Sequence, residues 1–147
     1  MATITVIRRI GAPAQLVFQA VADPRRFAQA IAGVTELRFL SQATAGLGTR
    51  FRQTRERNGK AMTMDFEITE YEPVSRVRIH NVTHDTEWDS VFSLRPTKTG
   101  TQLTVQMTTH SEKPLARVLM PLICLLIRKP VARDIDAVKT WCEAVGV

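Results

Sequence analysis

The sequence predicts an α+β protein in which a strongly curved antiparallel sheet wraps around one long C-terminal helix. Three observations carry this. Residues from Val34 to His110 read as successive alternating strands joined by turns. The dipeptide Asn58-Gly59 marks a tight hairpin, because a type I′ turn needs positive φ at both central residues. After Pro114 the apolar spacing changes to three and four and stays so to about Ala144. A sheet with one apolar face needs a cover, and the last helix is the only long one available.

The elements follow in order. Residues 3–10 alternate, with Ile4 and Val6 on one face, and read as the first strand. Gly11-Ala-Pro13 opens a helix whose buried stripe is Leu16, Val17, Phe18, Ala20 and Val21. Asp23-Pro24 ends it, and a second short helix runs to about Ile31, before Gly33. The Asn58-Gly59 hairpin sets Phe51 opposite Phe66, Gln53 opposite Met64 and Arg55 opposite Met62. On its other face Arg52 meets Asp65 and Arg50 meets Glu67. One face is apolar and the other complementary in charge, which supports the register.

Glu72-Pro73-Val74-Ser75 is the next turn, pairing Ile68 with Ile79 inside and Thr69 with Arg78 outside. His84-Asp85 is the third, placing Asn81 opposite Trp88, Ile79 opposite Ser90 and Val77 opposite Phe92. Pro96 to Gly100 is a longer fourth turn, setting Phe92 against Val105, Ser90 against Met107 and Trp88 against Thr109. The inner surface is then Phe51, Met64, Phe66, Ile68, Val77, Ile79, Trp88, Phe92, Leu94, Leu103, Val105 and Met107. In the last helix Val131, Ile135, Val138, Trp141 and Cys142 form the buried stripe, and Asp136, Lys139 and Glu143 the solvated side. Pro121 and Pro130 each remove a backbone donor, so kinks or a break are expected there. Residues 118–127 are apolar all round and need cover on more than one side, the cavity on one and the N-terminal helices on the other.

Composition excludes several classes. With 147 residues, 44% hydrophobic and 23% charged, the chain has a globular profile and is expected to form a single domain, 1–147. No secretory signal is visible, and the ten-residue apolar run falls short of the roughly 20 that a membrane span needs. Cys124 and Cys142 would lie about 27 Å apart on one helix, too far for a bridge, so a cytoplasmic location is the simplest reading. Residues 1–60 carry a net +7 and residues 61–147 a net −1. The register sets much of that basic charge against acids, and only 6% of residues are aromatic, so no nucleic-acid partner is expected. His80 falls on the outer face near Glu67 and Asp89, His84 in a turn and His110 at a strand end. No metal and no cofactor is expected: ligand spacing is lacking, and Gly46-Leu47-Gly48 precedes a strand rather than a helix.

The segments IRRIGAPAQLVFQAVADPRRF, GLGTRFRQTR, FEITEYEPVSRVRI, WDSVFSL and GTQLTVQM resemble the START-like (SRPBCC) superfamily, which includes the polyketide cyclase/dehydrase-like proteins. The closing MPLICLLIRKPVARDIDAVKTWCE is similar to the last helix of small bacterial members. The resemblance spans essentially the whole chain through the order of its elements. It implies a helix-grip fold with a deep apolar cavity between sheet and C-terminal helix. Members range from lipid carriers and hormone receptors to aromatase/cyclases, so fold leaves function open.

Apolar walls with a few placed polar groups characterise small-molecule pockets. Phe51, Met64, Phe66, Trp88, Phe92 and Met107 are the expected wall, and Met120, Ile123 and Ile127 the helical lid. Gln53, Asn81 and Ser90 are the expected orienting groups; Arg55, three residues from the hairpin turn, is a rim residue. Glu70 is the inner-face carboxylate nearest to an acid/base candidate, though its place beside a turn favours a structural pairing. Without an acid/base pair, the reading favours a binding or carrier protein for a small hydrophobic ligand (lipid, isoprenoid or polyketide-like). A cyclase/dehydratase-type enzyme and an interaction module with a collapsed cavity are the alternatives. The segment from Leu119 to Ile127, followed by Arg128-Lys129, suits transient membrane-surface contact or a homodimer.

Overall fold

The computed structural model describes residues 2–83 and 85–145. Strand β1 (Ala2–Ile10) leads into helices α1 (Ala14–Ala22) and α2 (Pro24–Ala30). Strands β2 (Val34–Phe39), β3 (Arg50–Arg57), β4 (Lys60–Glu72), β5 (Arg76–Thr83), β6 (Thr86–Thr97) and β7 (Gly100–Ser111) follow, and α3 (Pro114–Val145) closes the chain. The strands form one antiparallel sheet in the order β1-β7-β6-β5-β4-β3-β2. This is the curved sheet, long C-terminal helix and pair of short helices of the helix-grip fold.

Turn chemistry sets the sheet. Asn58 and Gly59 both have positive φ, 54° and 77°, as a type I′ turn requires. The pairs Phe51/Phe66, Gln53/Met64 and Arg55/Met62 follow on one face, with Arg52/Asp65 and Arg50/Glu67 on the other. Arg52 grips Asp65 through two hydrogen bonds of 2.7 and 3.1 Å. Trp88 faces Asn81 and Thr109, and Ser90 faces Ile79 and Met107. The fourth turn is tighter than its sequence suggests, since Thr97 already pairs with Gly100. Thr83 pairs with Thr86, which brackets the third turn; the reading of His84 lies outside the described residues.

One register differs. Ile68 pairs with Ile79 as expected, but Arg78 faces Glu70, not Thr69. The extra residue is a β-bulge, and it exchanges the faces of everything beyond it. Glu70 therefore points outward, where its carboxylate oxygens meet Arg76 at 3.1 Å and Arg78 at 3.4 Å. It is not an inner-face carboxylate. Tyr71 takes the inner place, opposite Val77, with its ring 5.3 Å from that of Phe18 on α1.

The outer face carries charge ladders. Arg78 Nε lies 3.2 Å and His80 Nδ1 3.1 Å from Asp89. Burial raises the Asp89 carboxyl, but hydrogen bonds from Arg78 and His80 outweigh it and hold the group below its ordinary 3.8; the Arg52 hydrogen bond does the same for Asp65. Stability lent by these two groups is present above that value and is lost as pH falls through their lowered ones.

Helix α3 is continuous through Pro121 and Pro130; neither breaks it. Each proline leaves the carbonyl four residues back without its helical donor. Contacts outside the helix hold it in place. Arg8 Nε reaches Asp136 at 2.6 Å, Glu143 accepts from the Gly11 amide at 2.8 Å, and Arg128 donates to the Thr5 carbonyl at 3.0 Å. Asp136 and Glu143, expected on the solvated side, thus tie α3 to β1. Ile135, Val138 and Cys142 are buried beneath.

Val74 is the strained position. It adopts φ 67°, with the Ser75 amide donating to the Glu72 carbonyl at 3.0 Å, a type II arrangement that favours Gly or Asn there. A β-branched residue is poorly suited to this region, and Val74 is exposed. Val74→Asn is expected to stabilise the protein by about 0.5–1 kcal/mol. Urea unfolding of the two proteins side by side checks this; an unchanged or lower midpoint contradicts it.

Candidate functional site

Between the concave face of the sheet and α3 lies a cavity of about 610 Å³. Its wall is built by alternation. Phe51, Gln53, Met64, Phe66, Ile79, Asn81, Trp88, Ser90, Phe92, Val105 and Met107 all project from the inner sheet face. Met120, Ile123 and Ile127 close it from α3. All twelve residues expected at the site line this one space. Phe51 and Phe66 stack with ring centroids 5.2 Å apart.

Other lining residues were not anticipated. Val21, Ala22, Pro24, Phe27 and Ile31 come from the α1–α2 corner, and Val131, Asp134 and Ile135 from the second half of α3. No strand register could place them, because their approach depends on how the helices cross the sheet. Helical spacing from Ile123 and Ile127 to Val131, Asp134 and Ile135 is the signal that was present.

Among the described residues, three of those lining the cavity are ionisable: Arg55, Arg57 and Asp134. Arg55 and Asp134 meet in a two-pronged pair, Nη1 to Oδ2 at 2.8 Å and Nη2 to Oδ1 at 3.0 Å. Arg55 Nη2 also donates to the Ala32 carbonyl at 2.9 Å, joining β3, α3 and the α2–β2 connection. Arg55 is thus a structural tie as well as a lining residue. The neighbouring Gly33 has φ 87°, and a Cβ there would fall 2.6 Å from the Glu56 carbonyl oxygen, so only glycine fits. Arg57 and Met62 are exposed and mark the rim.

The polar wall is neutral. Asn81 Nδ2 donates to Thr83 Oγ1 at 3.1 Å, and Thr83 Oγ1 lies 3.4 Å from the Met64 sulfur. Neither thiol is activated: burial pushes Cys124 up and Cys142 up to about 11. Both are buried in α3. Among the described residues, no three His, Cys, Asp or Glu side chains come together as a metal set.

The outer side of α3 is not covered. Leu115, Val118, Leu119, Leu122, Leu125 and Leu126 are exposed, Val118 at 76%. The expectation that this side packs on the N-terminal helices is therefore wrong. Those helices sit against the cavity side and the second half of α3, so only Met120 and Cys124 of the segment are buried. Among the described residues, no helix is long and apolar enough to cross a membrane.

Residues 1–143 match the family described as polyketide cyclase / dehydrase and lipid transport, and the chain belongs to that family, within the START-like (SRPBCC) superfamily. The protein TTHA0849 of Thermus thermophilus has a similar structure, with a TM-score of 0.78, 19% identity, and 99% of this chain and 100% of that one covered. Ara h 8.0201 superposes with a TM-score of 0.76 at 13% identity, covering 97% and 98% of the two chains. The di-domain ARO/CYC StfQ of the steffimycin biosynthetic pathway gives 0.77 at 14%, covering 99% of this chain and 52% of that one. No curated protein is significantly similar in sequence.

The Arg55–Asp134 pair is testable as a unit. Both side chains are less than a quarter exposed, 23% and 20%. A double-mutant cycle with Arg55→Met and Asp134→Asn is expected to give a coupling of about 1–2 kcal/mol. The same cycle on exposed Arg52–Asp65 should give less, since water screens that pair. Equal couplings would show that Arg55–Asp134 is no more than a surface pair.

Proposed function

We propose that this protein binds a small, largely apolar molecule in the cavity and acts as a carrier or binding protein. One observation carries the reading: a preformed apolar space of about 610 Å³ whose one carboxylate among the described residues, Asp134, is held by Arg55. Pockets for small molecules fall in this size range and have this composition. Filling one returns roughly 25 cal/mol for each Å² of apolar surface removed from water. Turnover of the cyclase/dehydratase kind would need a proton donor or acceptor free to reach substrate, and among the described residues the wall offers no unpaired carboxyl group. The twelve wall and lid residues are the proposed ligand contacts.

Native mass spectrometry of the purified protein, followed by solvent extraction, tests this. The expected result is a co-purified apolar compound, displaced in Met107→Trp, whose larger ring fills the space at unchanged melting temperature. A clean apo mass, with no thermal shift across a panel of lipids and aromatic polyketides, would overturn the carrier reading.

The exposed leucine face suggests where loading occurs. It runs for three turns along the helix that lids the cavity, and exposed Arg128 and Lys129 follow it. An apolar helix face with a basic flank suits an anionic membrane surface. Sedimentation with phosphatidylserine-containing vesicles is expected to retain the wild type and release Leu122→Ser/Leu126→Ser by at least about tenfold. Equal sedimentation of both proteins, or a stable dimer dissociated by these substitutions, refutes the membrane contact.

A further inference from the structure

Apart from the Arg55–Asp134 pair and Arg57 at the rim, the polar side chains lining the cavity are neutral, and three of them stand together on β5 and β6. Asn81 on β5 is the direct cross-strand partner of Trp88 on β6, and Ser90 follows Trp88 by two residues on the same face. Such neighbours stand roughly 5–7 Å apart, within reach of one small ligand group. Asn81 Nδ2 is occupied by Thr83, which leaves its Oδ1 as acceptor. Among the described residues, no partner meets that oxygen, the Trp88 indole N–H or the Ser90 hydroxyl. Nor are these atoms sealed in packed protein: the only fully enclosed side-chain nitrogen or oxygen lacking a partner among the described residues is Arg76 Nε. Each of these atoms therefore keeps some accessible surface, all three residues line the cavity, and together they offer one acceptor, one donor and one group that is either.

Among the described residues lining the cavity, no unpaired charge lies beside them. Arg55 commits its fork to Asp134 and the Ala32 carbonyl, on a strand two places from Asn81, and Arg57 is at the exposed rim. A carboxylate placed at the cluster would lose its water and gain only neutral donors, which is unfavourable. A hydroxyl or carbonyl oxygen meets no such penalty. A bare hydrocarbon would leave three polar groups dehydrated and unpaired.

We infer that Asn81, Trp88 and Ser90 form a recognition point for an uncharged oxygen function, a hydroxyl or carbonyl, on an otherwise apolar ligand, and that the cavity selects such molecules over fatty acids and plain hydrocarbons. The inference rests on the proposal that the cavity holds a ligand. It adds the ligand's charge state and the position of its polar atom.

The test uses the full-length protein and the uncharged dye Nile red, displaced at neutral pH by biphenyl, para-hydroxybiphenyl and para-biphenylcarboxylate. The three competitors share one apolar body. The hydroxyl compound is expected to displace the dye at about tenfold lower concentration than either of the others, the effect of one or two neutral hydrogen bonds. Trp88→Phe and Ser90→Ala are each expected to shrink this preference severalfold, read as the ratio of hydroxyl compound to biphenyl within each variant, so that a general change in apolar binding cancels. Asn81→Leu serves as a third variant if its thermal unfolding matches wild type. Tightest binding by the carboxylate, or parity of biphenyl and its hydroxyl derivative, overturns the recognition point while leaving the cavity reading intact. A preference that survives both Trp88→Phe and Ser90→Ala also overturns it. Failure of Nile red itself to bind overturns both.

Discussion

One helix touches an edge strand of the sheet and the strand next to the opposite edge, and the rest of the structure depends on that. In the strand order, β1 and β3 stand five places apart. A flat sheet would separate them by about 24 Å, more than twice the diameter of a helix with its side chains. Yet α3 meets β1 through Arg8, Gly11 and Thr5, and β3 through Arg55. The sheet can satisfy both only by curling around the helix. Curvature on that scale leaves a hollow that a single helix cannot fill.

The ties are unevenly placed. Asp134, Asp136 and Glu143 lie in the second half of α3, close to buried Ile135, Val138 and Cys142. The first half carries the lid residues Met120 and Ile123, and among the described residues no ion pair ties it to the sheet: its links are Arg117 to the Ser111 carbonyl, the Thr109 hydroxyl to the Met120 sulfur, and Arg128 to the Thr5 carbonyl at its far end. Elements with little buried area and exposed contacts are the ones that open locally. An anchored half that fixes the fold and a lightly held half over the cavity are what loading and release of a ligand require.

Much of this was legible in the sequence, and the exceptions share a cause. The Asn58-Gly59 turn fixed β3 against β4, and alternation carried the register through β7, which is why the nine expected strand residues line the cavity; Met120, Ile123 and Ile127 follow from helical spacing. The bulge at Thr69–Glu70 was missed although the apolar spacing Phe66, Ile68, Tyr71 steps by two and then by three, the mark of one extra residue. Asp134 and the α1–α2 contribution were not legible. Strand period says which face a residue is on, not how far away a helix lies. The outer leucines of α3 were misread for the same reason: apolarity all round demands a cover, and nothing local says whether the same chain supplies it.

The two apolar sides of the first half of α3 pose one physical question. Burying Leu122, Leu125 and Leu126 within the fold would be favourable, so their exposure has a stability cost that a purely structural helix would not carry. The inner side has a similar cost, because Met120, Ile123 and Ile127 face a hollow rather than a packed core. The proposed partners outside the chain, a ligand within and an apolar surface without, would remove both. The same dozen residues thus separate the cavity from the face proposed to meet the membrane. A ligand passing between them crosses one helix thickness, about 10 Å. It moves past the half of α3 that the ion pairs leave least constrained.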